Sequence, residues 1–267
     1  MGTGFTLGVI GCGQMARALL GGFTEHQGLL TSISLFDIES GKAIALAADY
    51  GANVADSGYT LALGVDVVVL AVKPPQIKMV LSEIAPALNA DKVLISVAAG
   101  VTLDSIREGI DPHVPVARVM PNVPCLIGQG TMGLSFSSSV ADDQRELVLK
   151  LFSTVGLVEI IPEEFMDGVT AVSGSGPAFV FLVAEALTDA AVDVGLPRDL
   201  ARRLVNQTLV GSAVMMQETG EHPAVLRERV TSPGGTTIAG IRALENGGVR
   251  AAFFDAVREA YHRSARR

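Results

Sequence analysis

The segment that most constrains the fold lies at the start of the chain. An apolar stretch at residues 5–10 runs directly into the sequence GCGQMA at residues 11–16. This order matches the pattern GxGxxG/A, in which the glycines allow a sharp turn and a close approach of backbone to pyrophosphate. Residues 14–23 have a helical pattern, so the pyrophosphate would meet a helix N-terminus. We therefore expect a dinucleotide cofactor to contact Gly11, Gly13, Gln14 and Met15.

An acidic residue follows the second predicted strand. Residues 32–36 are largely apolar and end in Asp37, about twenty residues beyond the glycines. A carboxylate at this place normally accepts hydrogen bonds from ribose hydroxyls and repels a 2′-phosphate, so Asp37 favours NADH over NADPH. The alternative is that Asp37 is a turn residue at the end of a strand, and Lys42 is near enough to reach a phosphate.

Strands and helices alternate through the first part of the chain. Residues 66–72 form a continuous apolar run, which is typical of a parallel strand covered on both faces. The run ends in Lys73 and two prolines, so Lys73 either lies beside the cofactor or caps the sheet edge. Further strands are expected at residues 92–100, 115–120, 130–136 and 156–161. This alternation predicts an α/β fold with a Rossmann-like doubly wound sheet over residues 1–162.

The composition changes at residue 163. Alanine-rich helical patterns occupy residues 165–172, 177–194, 198–219, 223–230, 236–246 and 249–263. They predict an all-α second domain over residues 163–267. The helix at residues 177–194 is apolar on nearly every face, which is typical of a helix deep in a core or between subunits. We therefore expect an obligate homodimer through this domain.

Two stretches rich in glycine and hydroxyl side chains precede predicted helices in the second domain. One is TSPGGTT at residues 231–237 and the other is SGSGP at residues 173–177. Free backbone N–H groups at a helix N-terminus bind carboxylate or phosphate. The two stretches together suggest one small polar ligand between them, although ordinary capped helix starts would have similar sequences.

Composition narrows the classes of partner and chemistry. The net charge is −8 and no basic stripe with interleaved aromatic residues occurs, which argues against a nucleic-acid partner. Two cysteines are too few for a disulfide framework and lack metal-ligand spacing, so we expect no metal and a cytoplasmic protein. The longest apolar run is too short to span a membrane. No lysine follows Lys150 and the histidines are scattered, which favours a substrate such as a protonated imine, because its C=N bond is electrophilic without an added acid.

Together these motifs resemble the pyrroline-5-carboxylate reductase family. The matching sequences are GCGQMA at 11–16, AVKP at 71–74, SVAAG at 96–100, RVMPN at 118–122, SGSGPA at 173–178 and SPGGTT at 232–237. The resemblance implies hydride transfer from NADPH or NADH to the C=N bond of 1-pyrroline-5-carboxylate, giving L-proline. It also implies helical domains that interlock in dimers, and dimers that assemble into decamers.

The resemblance implies a role for individual residues as well. The substrate carboxylate would rest on Gly234, Gly235, Thr236 and Thr237, with Ser173, Gly174 and Ser175 nearby. Further cofactor contacts would come from Ala71, Val72, Lys73, Pro74, Ala98 and Asn122. Thr237 is the candidate catalytic residue, acting through its hydroxyl or a bound water.

The chain departs from the family pattern at Asp37, where members that prefer NADPH usually have a small hydroxyl residue, and near Ser57, where they often have asparagine. Both departures weaken the case for a 2′-phosphate site. Two alternatives remain. A β-hydroxyacid dehydrogenase shares the layout but needs a catalytic helix lysine, and a non-catalytic NAD(P)-sensing dimer would have no use for a second anion-binding loop.

Overall fold

In the computed structural model, which describes residues 4–25 and 28–266, the chain forms two compact units. The first unit consists of the described residues of Met1–Ser175 and Ala260–Arg267. The second unit is Gly176–Glu259. By its contacts, the short stretch of residues 163–175 therefore groups with the sheet rather than with the helices that follow it.

The first unit is built on a sheet of eight strands, and it confirms the predicted fold class. The strands are β1 Phe5–Ile10, β2 Leu30–Phe36, β3 Asn53–Val54, β4 Val67–Leu70, β5 Val93–Ser96, β6 Val116–Met120, β7 Gly130–Phe136 and β8 Gly156–Ile160. Their order across the sheet is β3-β2-β1-β4-β5-β6-β7-β8, and all neighbours are parallel except β6 and β7. The chain order reverses direction between β1 and β4, which is the position where open α/β sheets bind ligands.

Helices cover both faces of this sheet. They are α1 Gln14–Glu25, α2 Ser40–Tyr50, α3 Gly58–Leu63, α4 Ile77–Ile84, α5 Leu103–Arg107, α6 Asp142–Ser153 and α7 Met166–Val169. One apolar core includes side chains of α1, α2 and α6, and another includes side chains of α3, α4 and α5. All four residues of β4 are fully buried, which explains why the central strand has no polar alternation.

Helix α3 and the short strand β3 were not predicted from the sequence. Ser57 is the N-cap of α3, and its hydroxyl accepts a hydrogen bond from the Thr60 N–H at 3.0 Å. The Thr60 hydroxyl in turn accepts from the Ser57 N–H at 3.1 Å, which completes a capping box. A six-residue helix has too few turns to show a clear periodic pattern, so this cap was its main signal.

The described residues of the second unit form helices and connecting loops, without a strand. It contains α8 Gly176–Asp193, α9 Arg198–Thr219, α10 Pro223–Arg229, α11 Thr236–Asn246 and the first part of α12 Val249–Ala265. The predicted helices from residue 177 onward are confirmed, with ends within two residues. Gly195 and Gly220 have φ values of 97° and 62°, the left-handed conformation expected beyond a helix end.

Large apolar side chains on α8 are exposed in the single chain. Val180, Phe181 and Leu182 are 52%, 63% and 64% exposed. The helical run Glu163–Asp193 is also long and apolar enough to cross a membrane by length and composition alone. This property is not visible in uninterrupted apolar runs of the sequence, because polar residues interrupt the helix. A soluble helix that a second protein surface covers has the same composition.

Candidate cofactor and substrate sites

The glycine loop after β1 has the geometry that its sequence predicts. Gly11 has a φ of 97°, and a Cβ atom there would lie 2.7 Å from the Ala71 carbonyl oxygen. The Gly11 N–H donates to the Phe36 carbonyl at 2.8 Å, so the loop is held at the ends of β2 and β4. No heavy atom lies within 4 Å of the corresponding position at Gly13, which leaves room for a ligand to approach the backbone. Ala16 is fully buried, as expected where helix and sheet pack closely.

A cavity of about 310 Å³ borders this loop. Its lining includes six of the residues predicted to contact the cofactor: Gly11, Gly13, Asp37, Ala71, Val72 and Lys73. The other five lie outside the lining. Gln14 and Met15 begin α1, Pro74 begins a 3₁₀ turn before α4, Ala98 follows β5, and Asn122 follows β6.

The Asp37 carboxylate binds two backbone amides. Oδ2 accepts from the Cys12 N–H in the glycine loop at 2.8 Å, and Oδ1 accepts from the Glu39 N–H at 2.9 Å. Asp37 therefore holds the glycine loop to the end of β2 while it also lines the cavity. Each oxygen retains a further lone pair, so the carboxylate is still able to accept a hydrogen bond from a ligand.

The charges around Asp37 are predominantly negative. Glu39 and Lys42 line the same cavity, and their side chains form an ion pair at 2.5 Å. The hydrogen bond to Glu39 raises the pKa of Lys42 above its usual range. The lining carries three carboxylates (Asp37, Glu39, Glu83) and two ammonium groups (Lys42, Lys73), and therefore a net charge of −1, which opposes a phosphate group.

The Cys12 thiol is chemically quiet. Burial, and secondarily the charge of Asp37, raise the pKa of Cys12 from 9.0 to about 12. The thiolate is the reactive form of cysteine, so Cys12 does not supply a nucleophile at neutral pH.

Residues 173–177 do not form the open loop that the sequence analysis expected. Residues Thr170–Gly174 form a π-helical turn within the continuous helical run Glu163–Asp193, and the Ser175 N–H donates to the Thr170 carbonyl at 3.0 Å. The hydroxyls of Ser173 and Ser175 donate to the carbonyls of Val169 and Thr170 at 2.9 and 3.3 Å. The prediction of a bare helix opening here was wrong, because these groups are bonded to the preceding turn. Wide turns of this kind are nevertheless frequent at functional sites.

The other glycine-rich stretch does open a helix, as predicted. Helix α11 begins at Thr236, and its N-cap residue, Gly235, provides no side-chain cap. Gly234 has a φ of 67°, and a Cβ atom on Gly235 would collide with the Ser232 hydroxyl. Thr236 is exposed and Thr237 is half-buried. The first-turn N–H groups of α11 are thus not satisfied by a capping side chain, which suits an anion.

Comparison with known proteins matches both parts of the chain. Residues 163–267 match the family model for pyrroline-5-carboxylate reductase dimerisation. Residues 6–100 match the model for NADP oxidoreductase, coenzyme F420-dependent. Pyrroline-5-carboxylate reductase from Escherichia coli is 40% identical over 97% of this chain and 96% of that protein. The protein of the same name from Glycine max is 41% identical over 97% of this chain and 95% of that protein.

The chain belongs to the pyrroline-5-carboxylate reductase family. A solved structure of the Coxiella burnetii pyrroline-5-carboxylate reductase has a TM-score of 0.90 at 36% identity, with 98% of each chain covered. A Plasmodium falciparum pyrroline carboxylate reductase with NADP bound has a TM-score of 0.89 at 32% identity, covering 98% of this chain and 97% of that one. The resemblance inferred from the motifs is thereby confirmed.

One polar network in this member of the pyrroline-5-carboxylate reductase family was missed by the sequence analysis. In the sequence, Glu163 lies at the start of a helical pattern, a position that by itself indicates only an interaction with the helix dipole. Its Oε1 accepts from the Arg118 guanidinium at 2.8 Å and from the Leu103 N–H at 2.7 Å. The Arg118 side chain is only 5% exposed. An arginine within the apolar strand β6 was the available signal, because a buried charge requires a partner.

The described part of this reductase has no candidate metal site. Within residues 4–25 and 28–266, no three His, Cys, Asp or Glu side chains are grouped so that they could hold a metal ion.

Proposed function

We propose that the protein reduces the ring C=N bond of 1-pyrroline-5-carboxylate with a hydride from NADH or NADPH, giving L-proline. Its family membership over nearly the whole chain is the observation that carries this proposal. The hydride adds to the imine carbon, and the ring nitrogen, already protonated, becomes the secondary amine. A nicotinamide cofactor supplies the hydride, while the protein supplies binding and orientation. The cavity beside the glycine loop has the residues to hold such a cofactor.

We propose further that NADH is the preferred cofactor. Asp37 and Glu39 line the cavity with two carboxylates, which would repel a 2′-phosphate bound beside them, and Lys42 is already paired with Glu39. The cofactor contacts proposed for Gly11, Gly13, Gln14, Met15, Ala71, Val72, Lys73, Pro74 and Ala98 are common to both nucleotides. The Plasmodium falciparum relative was solved with NADP bound, so family membership alone does not imply a preference for NADH. The preference proposed for this chain rests on Asp37 and its charged neighbours.

For the substrate, we propose that its carboxylate binds at Gly234, Gly235, Thr236 and Thr237. The support is the uncapped N-terminus of α11, whose two threonine hydroxyls add further donors. Ser173, Gly174 and Ser175 are proposed to contact the substrate as well. Because both serine hydroxyls donate to helix carbonyls, their oxygens offer lone pairs, which suit the N–H of a protonated imine.

The proposed assembly is a homodimer through the helical domain, here taken as residues 163–267, with dimers able to build decamers. The exposed apolar side chains of α8 lie in the stretch that matches the dimerisation model. A second copy of the chain packed on α8 would bury these side chains. In a single chain the same apolar surface has the composition of a membrane-spanning helix. A cytoplasmic location is proposed with this assembly.

Turnover of 1-pyrroline-5-carboxylate with NADH and NADPH, measured side by side, tests the proposal. Proline formation with a larger kcat/KM for NADH is expected, and no turnover with either cofactor would refute the function. The Thr237→Ala variant should raise the KM for the imine much more than the KM for the cofactor. Thr208→Ala, which removes an exposed hydroxyl bonded only to the Leu204 carbonyl on α9, is a matched control that should change neither.

A further inference from the structure

Three alternate residues at the end of β6 contact the helical segment that contains the π turn. Arg118 pairs with Glu163 at 2.8 Å. The Met120 side chain packs so close to Gly174 that a Cβ atom there would lie 2.8 Å from its Cε. Just beyond the strand, the Asn122 Nδ2 donates to the Ser173 carbonyl at 3.0 Å. Met120 and Asn122 therefore contact the π turn itself, and Arg118 holds the start of the same helical segment.

The Ser173 carbonyl has a specific reason to need an outside donor. In an α-helix, this carbonyl would accept from the N–H of residue 177, four positions later. Residue 177 is proline, which has no N–H, and its ring also crowds the carbonyl four residues before it. The helix widens at this point, as the bond from the Ser175 N–H to the Thr170 carbonyl records. An unpaired carbonyl in this partly buried place would cost free energy, and the Asn122 amide provides a partner.

Asn122 is itself fixed in orientation. Its Oδ1 accepts from the Thr131 N–H at 2.9 Å, and the residue is 7% exposed. The oxygen is thus assigned to an N–H donor and the nitrogen to a carbonyl acceptor, so the amide has one favourable orientation. A side chain committed in this way to two backbone groups acts as a structural tie.

We propose that Asn122 is a positioning residue, which replaces the missing N–H of Pro177 and so fixes the wide turn that presents Ser173, Gly174 and Ser175 to the substrate. This inference rests on the proposed function for the substrate part of its claim. It differs from the direct cofactor contact that the family resemblance implies for Asn122. The two roles are separable by experiment.

The first test measures the coupling between Asn122 and Pro177 by thermal unfolding. Asn122→Asp keeps an acceptor for the Thr131 N–H but replaces the donor with an oxygen that repels the Ser173 carbonyl. We expect it to lower the Tm by about 5 °C. In the Pro177→Ala background, the new N–H of residue 177 is available to Ser173, so the same substitution should lower the Tm by less than about half as much. If Asn122→Asp lowered the Tm equally in the wild-type and Pro177→Ala backgrounds, Asn122 would not be replacing the missing N–H of Pro177.

The second test separates positioning from cofactor binding by kinetics. Asn122→Asp should raise the KM for 1-pyrroline-5-carboxylate about tenfold and leave the Kd for NADH within about twofold of the wild type. The matched control is Ser135→Ala, which removes a buried hydrogen bond to the Ile161 carbonyl away from the turn. It should lower the Tm without raising the KM.

Two outcomes overturn the positioning role. One is a Kd for NADH that rises as much as the substrate KM, because Asn122 would then act on the cofactor. The other is a substrate KM that rises equally in Ser135→Ala, because the effect would then follow stability alone. If the wild-type chain turned over no imine, the proposed function would fail, whereas the thermal coupling of Asn122 and Pro177 would still decide the hydrogen-bond replacement.

Discussion

The two hydrogen bonds of the Asp37 carboxylate predict an asymmetric effect of Asp37→Ser on the two cofactors. The substitution removes a negative charge, which favours the 2′-phosphate of NADPH. It also loosens the glycine loop, because Asp37 accepts from the Cys12 N–H and the Glu39 N–H. The loss of the loop contact acts on both nucleotides, whereas the loss of charge acts mainly on NADPH.

The magnitudes of these two effects are similar. A hydrogen bond to a charged group contributes about 1.5–3 kcal/mol. The serine hydroxyl in Asp37→Ser still accepts one of the two backbone N–H bonds, so we expect the loss of the other to weaken the binding of either cofactor about tenfold. A unit charge about 6 Å from a phosphate, at an effective dielectric constant of about 40, contributes ~1.4 kcal/mol of repulsion, which is again about tenfold. For NADPH the two effects cancel. We therefore expect NADH to bind about tenfold more weakly to Asp37→Ser while NADPH binding changes little.

Titration of nicotinamide fluorescence with each cofactor measures both affinities directly. Glu39→Gln is the informative comparison, because it removes a charge from the same cavity wall and frees Lys42 without breaking a bond to the glycine loop. It should strengthen NADPH binding with little effect on NADH. If Asp37→Ser left NADH affinity unchanged, the bonds to Cys12 and Glu39 would not be holding the loop, and the reasoning would be refuted.

Three further predictions follow from single contacts. Glu163→Gln should lower the free energy of unfolding by about 3 kcal/mol, because the buried Arg118 guanidinium loses its counter-charge. The control is Glu164→Gln at the exposed neighbouring residue, and an equal loss of Tm in both variants would contradict the prediction. Gly11→Ala should abolish NADH binding in the fluorescence titration, because its φ is 97° and a Cβ atom would lie 2.7 Å from a carbonyl oxygen, and retained affinity would show that the turn is adaptable. Cys12 should resist iodoacetamide at about pH 8.5 until the chain is unfolded. Because its folded pKa of about 12 exceeds the ordinary 9.0, its contribution to stability is complete below pH 9 and declines as the pH rises toward 12; rapid native labelling would refute the burial argument.

The sequence predicted those features that depend on neighbouring residues. The turn at Gly11 lies between adjacent strand and helix patterns, and α9 and α11 begin and end at the predicted residues because proline and glycine lie beside them. The role of Asp37 in holding the glycine loop was not predicted, because that bond joins residues 25 positions apart and exists only once β1 and β2 are paired. Local pattern alone does not contain this information.

The π turn is the clearest case of a feature that requires both local and distant causes. Pro177 disturbs the helix locally. In a sequence, a proline that follows glycines and serines usually indicates the start of a new helix. The helix instead continues through the disturbance, with Asn122, 51 residues earlier, bonding to the Ser173 carbonyl. The residue types near Pro177 indicate an unusual backbone conformation. That this conformation is a π turn depends on Met120 and Asn122, which lie at and just after the end of β6.

The proposed chemistry explains why such positioning matters more than an acid or base in this protein. A protonated imine already carries the charge that hydride transfer neutralises, so the reaction needs no additional proton on the ring nitrogen. The helical unit contains no lysine, and the serine hydroxyls of the wide turn donate to helix carbonyls. What remains for the protein is to hold the imine carbon and the nicotinamide in a reactive orientation, and effective molarities of about 10⁵ M or more show how much rate orientation alone supplies. On this argument, substitutions at Asn122 and Asp37 alter catalysis through the position of backbone, and a proton-transfer residue need not be sought among the histidines.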